Sequence, residues 1–141
     1  GLENTSFADP SGLNPNNVST AYDLSRLISY ASADERIASI MRMQSYTVTT
    51  SRRTFRINNT NKLLGGEGVD VMAGKTGFIS KAGYCLATLL RLPHSQQTVA
   101  VVVLGAKSNT ARFWETRHVF NWLNERASDL FTKAQQQEQI P

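Results

Sequence analysis

The spacing of apolar residues changes along this chain, and each change marks a different kind of element. Residues 1–18 show no period and are rich in Asn, Asp, Pro, Ser and Gly. Such a stretch forms an ordered loop, with turns at Asp9-Pro10 and Asn14-Pro15. Tyr22, Leu24, Leu27, Ile28 and Ala31 then follow at largely helical spacing. Thr20 is the expected N-cap, with Asp23 reaching back toward the first turn. Ser32 and Glu35 repeat that signature and predict a second, shorter helix with the stripe Ile37, Ile40 and Met41.

From Gln44 the period changes to that of strands. Tyr46-Thr47-Val48-Thr49 and Thr54-Phe55-Arg56-Ile57 are short runs of β-branched and aromatic residues, with the Asn-rich stretch 58–61 after them. Gly65-Gly66-Glu67-Gly68 is a flexible connection. Three longer strands are predicted at 71–79, 83–90 and 98–104. The breaks between them are too short for parallel crossovers, which need a dozen or more residues, so neighbours run antiparallel. Phe113, Thr116, Phe120, Leu123, Ala127 and Leu130 recur at three-four spacing and predict a long last helix over 111–134, with Trp114 and Trp122 flanking its stripe. Residues 135–141 form a polar tail expected to fray. Helices, then an antiparallel sheet, then a helix is an α+β order, without internal repeats or a linker.

Composition narrows the function classes. The chain has 141 residues, 40% of them hydrophobic, as in an ordinary globular domain. No apolar run approaches the roughly 20 residues of a spanning helix, and the first residues carry neither a basic nor an apolar signal region. The single cysteine, Cys85, excludes an internal disulfide and a cysteine-based metal cluster; its apolar neighbours predict a buried small hydrophobe. His94 and His118 lack metal-site spacing and are expected at the surface. The net charge of +4 permits an anionic partner. Arg52, Arg53 and Arg56 form the densest basic patch, but no recognition motif accompanies them, so a solvated basic strand is expected and nucleic acid is not.

The informative chemistry lies in Gly74-Lys75-Thr76-Gly77-Phe78. Gly74-Lys75-Thr76 matches the end of a phosphate-binding P-loop, but Val69 stands where that motif needs its first glycine, and no helix is predicted after Gly77. The other reading is the K-T-G element of serine β-lactamases and penicillin-binding proteins, found on a strand beside the active-site cleft. A lysine there supplies fixed positive charge, a threonine hydroxyl binds a carboxylate, and a glycine lets substrate lie against the strand.

The surroundings extend that match. Phe7-Ala8-Asp9-Pro10-Ser11-Gly12-Leu13 with 17–24, Asn59-Thr60-Asn61-Lys62-Leu63-Leu64, and 75–86 resemble, in order, segments of the D-alanyl-D-alanine carboxypeptidases and endopeptidases, which are low-molecular-mass penicillin-binding proteins. The resemblance runs from Gly1 to about Phe131. Phe78 and the Ala82-Gly83-Tyr84-Cys85 pattern lean toward the soluble endopeptidase branch. It implies the β-lactamase/DD-peptidase fold, an acyl-enzyme mechanism on peptidoglycan stem peptides, β-lactams as inhibitors, no cofactor, and a bacterial envelope location. Lys75 would orient the serine of an S-x-N motif. Thr76 and Arg112 would bind the substrate's terminal carboxylate, Gly77 would admit the peptide, and the Phe78 N–H would serve the oxyanion hole, a donor worth about 3 kcal/mol. Arg112 in a first helical turn is mildly opposed by the helix dipole, which favours a functional reason for it.

The family's other two motifs, S-x-x-K and S-x-N, do not occur in this sequence. They are expected upstream of Gly1, leaving residues 1–134 as the C-terminal portion of a catalytic domain that is inactive alone and completed by that segment. Two rivals remain: a non-catalytic binding or interaction module of the same fold, and a class A-like β-lactamase, against which 9–13 argues.

Overall fold

Thr20 ends the opening loop because its hydroxyl accepts from the Asp23 N–H, satisfying a donor that a new helix leaves free. Helix α1 (Ala21–Ser32) follows. The Asp23 carboxylate does not bond back to the first turn as expected. It accepts instead from the Asn4 N–H at 2.9 Å and the Thr5 hydroxyl at 2.7 Å, and so ties residues 4–5 to the helix. In this computed structural model, which describes residues 1–93 and 97–138, α2 is Glu35–Arg42. Its N-cap is Asp34, not Ser32: Asp34 accepts from the Arg36 N–H, while the Ser32 hydroxyl donates to the Ser29 carbonyl and closes α1. The stripe of α2 is also displaced. Ala38 is buried, whereas Ile37 and Ile40 are exposed.

Strands β1 (Ser45–Thr49) and β2 (Thr54–Asn58) pair as a separate antiparallel hairpin, with Arg52, Arg53 and Arg56 exposed. The main sheet is β3 (Asp70–Ile79), β4 (Gly83–Arg91) and β5 (Thr98–Ala106), antiparallel in the order β3-β4-β5. Helix α3 (Asn109–Glu138) closes the fold. It starts two residues before the predicted position and runs beyond its end. His94 and residues 139–141 lie outside the described residues, as does the side chain of Leu130.

The core forms where α3 crosses the sheet. Leu86 and Leu90 of β4 and Val101 of β5 cluster with Phe113 and Phe120, and Leu63, Val71 and Leu92 belong to the same cluster. Burying side chains of this size contributes about 1.5–3 kcal/mol each. Thr116 also faces this core, its hydroxyl donating to the Arg112 carbonyl at 2.7 Å. Helices α1 and α2 pack on the sheet, α1 mainly over β4 and β5 and α2 against β3. Trp114 and Trp122 flank the stripe on the solvent side, Trp114 stacking on exposed His118. Cys85 is half-buried rather than buried, because the β4–β5 register slips between Tyr84 and Leu86 at the sheet's end.

Candidate active site

Lys75, Thr76, Gly77 and Phe78 occupy the second half of β3, a continuous strand; no P-loop helix follows. Side chains alternate along a strand. Thr76 and Phe78 therefore share a face with Leu86 and Tyr84, their partners across β4. Lys75 and Gly77 share the other face with Ala87 and Cys85. Thr76 is buried, and the other three are exposed.

β3 is an edge strand: beyond it no strand pairs among the described residues. The ladder decides which backbone groups look out of that edge. Arg112 Nη1 donates to the Gly77 carbonyl at 3.0 Å and to the Cys85 carbonyl at 3.1 Å. One nitrogen reaches both only where the two carbonyls converge, as in a hydrogen-bonded antiparallel pair. Phe78 and Tyr84 then form the non-hydrogen-bonded pair, whose side chains come closer. Their rings stack with centroids 4.2 Å apart. The same alternation turns the Phe78 N–H and the Thr76 carbonyl out of the open edge. The Lys75 ammonium folds along this edge and donates to the Thr76 carbonyl.

Two glycines of this strand differ in what requires them. A Cβ on Gly74 would sit 2.6 Å from Asn61 Nδ2 and 3.2 Å from Thr88 Oγ1, so packing excludes a side chain there. A Cβ on Gly77 would meet only the Cys85 Cβ, at an ordinary 3.7 Å, and the backbone there does not have positive φ. Among the described residues, nothing requires Gly77 to be glycine. Its effect is to leave that face of the strand open. A groove runs along this face between residues 7–19 and the β3–β4 hairpin, lined by Phe7, Asn17, Leu24, Gly77, Phe78 and Cys85.

Arg112 enters from the first turn of α3 and is 5% exposed. Besides its two carbonyl bonds it donates through Nη2 to Asn109 Oδ1, and it lies over the Tyr84 and Phe113 rings at 5.5 and 4.9 Å. Its Nε is buried without a partner. Burial pushes its pKa down, partly offset by Cys85 and Tyr84. Arg112 thus reaches β3 one residue past Thr76, on the Thr76 face. Thr76 itself bonds elsewhere: its hydroxyl lies 2.6 Å from that of Thr60. In the sequence Thr60 stands only in the Asn-rich approach to the K-T-G strand, and its residue type there points to no role. The same holds for Tyr84, which stacks on Phe78 and lies under Arg112. Neither contact has a signal in residue spacing.

Residues 1–108 match the family model described as D-alanyl-D-alanine carboxypeptidase, of the S11 peptidases. The chain belongs to this family. Among curated relatives it is 31% identical over 125 residues to the D-alanyl-D-alanine endopeptidase of Escherichia coli, and 30% identical over 125 residues to the endopeptidase so named in Pseudomonas aeruginosa. Each alignment covers 87% of this chain and 40% of the relative, so the chain spans well under half of their length. Among solved structures, a cysteine-to-alanine mutant of the Streptomyces K15 DD-transpeptidase superposes with a TM-score of 0.77 at 30% identity, over 86% of this chain and 48% of that one. The penicillin-binding protein D2 of Listeria monocytogenes, in its cefotaxime-bound form, gives 0.67 at 32% identity, over 83% and 47%. The fold is that of the DD-peptidases, as the K-T-G resemblance implied.

Proposed function

We propose that this chain supplies the K-T-G edge of a serine DD-peptidase active site that acts on peptidoglycan stem peptides in the bacterial envelope. The observation that carries the reading is the open edge of β3. It aligns an ammonium, an outward N–H at Phe78, a side-chain-free position at Gly77 and a hydroxyl at Thr76. An extended peptide laid along this edge meets all four. The Phe78 N–H is fixed by the ladder, so it stabilises a developing oxyanion without reorganising. Lys75 places positive charge where a serine must lose its proton and a peptide carboxylate must settle.

In the whole enzyme a serine Oγ attacks the D-alanyl carbonyl. The C–N bond breaks, the amine leaves with a proton, and water then hydrolyses the ester. The serine and its lysine lie outside the 141 residues. Lys75, Thr76, Gly77, Phe78 and Arg112 are the positions assigned to substrate and oxyanion. β-Lactams are the expected inhibitors, and the Listeria relative's structures in cefotaxime- and ampicillin-bound forms support that.

A second observation bears on the bond that is cut. Arg112 already donates to Gly77, Cys85 and Asn109, and its Nε is buried. A guanidinium so engaged offers little of its fork to a free carboxylate. That favours an internal cross-link over a free C-terminal D-alanine, in line with the endopeptidase names of the relatives. The test is made on the full-length protein. Labelling by a fluorescent penicillin and cleavage of D-alanyl peptides, free and cross-linked, are expected. Failure of both overturns the reading in favour of a binding module, and rapid turnover of the penicillin favours a β-lactamase.

A further inference from the structure

Thr60 is 2.6 Å from Thr76, hydroxyl to hydroxyl, yet the two residues belong to different elements. Thr60 is exposed and Thr76 is buried. A ligand approaching Thr76 from solvent therefore meets Thr60 as well. The backbone that presents Thr60 is fixed on both sides. Asn59 Nδ2 donates to the carbonyls of Met41 and Met43, at 3.2 and 2.9 Å, and so pins the segment to the end of α2. Asn59 Oδ1 accepts from the Asn61 N–H at 2.9 Å, and buried Asn61 accepts from the Leu63 N–H at 3.1 Å, pinning it to the core. A hydroxyl held in this way keeps its place when a ligand arrives.

We propose that Thr60 is a positioning residue for substrate recognition, which acts by donating to Thr76 Oγ1 and so directing the Thr76 proton at the acidic or carbonyl oxygen of a bound peptide. The proposal rests on the reading of the β3 edge as the peptide-binding edge. Its logic is a count of protons. Each hydroxyl has one donor and two acceptor sites, and in an unliganded pair either can donate. A carboxylate only accepts. When one binds, Thr76 must give its proton to the anion, and the Thr60–Thr76 contact survives only with Thr60 as donor. The resulting chain, Thr60 O–H to Thr76 O–H to carboxylate, is polarised along one direction, which strengthens each bond in it. With Thr60 removed, the Thr76 hydroxyl loses the neighbour that selects this orientation. The effect grows with the negative charge of the group bound and vanishes for a substrate with no acceptor there.

The experiment compares Thr60→Ser, Thr60→Ala and Thr60→Val in the full-length protein. It uses a D-Ala-D-Ala peptide with a free carboxylate and a neutral thioester lacking it. The expected result is a loss of roughly tenfold in kcat/KM for Thr60→Ala on the peptide, carried mainly by KM, since a hydrogen bond to a charged group is at stake. The thioester should change by less than about twofold, and Thr60→Ser should return the peptide to near the wild-type value. Equal losses on both substrates, or an unchanged peptide value in Thr60→Ala, overturn the proposal. If Thr60→Val does not fold, Thr60→Ser against Thr60→Ala still decides, because both lack the methyl and differ only in the hydroxyl. A wild-type protein inactive on both substrates overturns the DD-peptidase reading and this proposal with it, a result distinct from a loss confined to the variants.

Discussion

Arg112 holds two positions at once, because its guanidinium carries five N–H donors in a fixed plane. Nη1 ties the Gly77 and Cys85 carbonyls together across the β3–β4 ladder, and Nη2 binds Asn109 in the first turn of α3. Sequence alone marked Arg112 through its match to a family arginine and its poor fit to a helix N-terminus. The backbone bonds were not legible, because carbonyl acceptors leave no trace in residue identity. Two consequences follow for Arg112→Ala. Buried packing against Tyr84 and Phe113 is lost along with the ladder brace, so stability should fall by about 1–3 kcal/mol, measured as a shift in the denaturation midpoint. In the full-length protein, activity on a D-Ala-D-Ala peptide and acylation by a neutral thioester should fall by similar factors, because both terminal nitrogens are already engaged inside the chain. A loss confined to the peptide would show that Arg112 also holds the substrate's carboxylate. Arg112→Lys should not rescue either property fully, since an ammonium cannot span two carbonyls and an amide oxygen in one plane.

At the scale of elements, strands were the most legible part of the chain. Alternation and turn residues placed β3, β4 and β5 within two residues of their observed ends, because a sheet with a buried face imposes the period directly. Helix starts were less legible. Asp34 and Ser32 are both good N-caps; Asp34 caps α2 by accepting from the Arg36 N–H, while Ser32 is the last residue of α1 and donates to the Ser29 carbonyl. The stripe of α2 misled because Ile37 and Ile40 are exposed in this chain while small Ala38 meets the sheet. The opening loop shows how side chains replace a period. Asn17 Oδ1 accepts from the Ala8 and Asp9 N–H groups, at 2.7 and 3.2 Å, and Asn17 Nδ2 donates to Asp9 at 2.6 Å. Ser11 donates to the other Asp9 oxygen. These bonds, from Ser11 first and Asn17 next, hold the Asp9 carboxyl below its ordinary value of 3.8. A lowered folded pKa means that the carboxylate's contribution is complete above the unfolded value and is lost as pH falls through the folded one. The Ala8 and Asp9 amide signals should therefore stay constant from neutral pH to about 4 and shift only in stronger acid. Asp9→Asn should remove that transition. A titration of these amides centred at or above 3.8 would show that the Asp9 bonds do not form in solution.

The whole molecule presents more unpaired sheet edge and apolar surface than its size warrants. β3 and β5 are both edge strands among the described residues, and β5 is a run of valines with Leu104 exposed. Phe7 and Val18 stand exposed around the groove beside Gly77, and Tyr46, Ile57 and Ile40 form a second apolar patch near the β1–β2 hairpin. Exposed apolar patches of this kind seek partners, and an unblocked edge strand is a template for another chain. The matches cover only 40% of the Escherichia coli relative and 48% of the Streptomyces structure, so in them comparable surface has further chain available to cover it. The 141-residue chain by itself should associate in dilute solution or bind a hydrophobic dye, and should melt with poor cooperativity. It should also take up no fluorescent penicillin covalently. The sequence holds no serine followed three residues later by lysine, and loss of a nucleophile or its base typically removes many powers of ten in rate. The two expectations check each other. A monomeric, cooperatively melting chain would show that the exposed faces need no cover. Stoichiometric acylation, located by mass spectrometry on a serine of this chain, would mean that nucleophile and oxyanion edge lie within one half of the fold, and the division of labour drawn around β3 would fail.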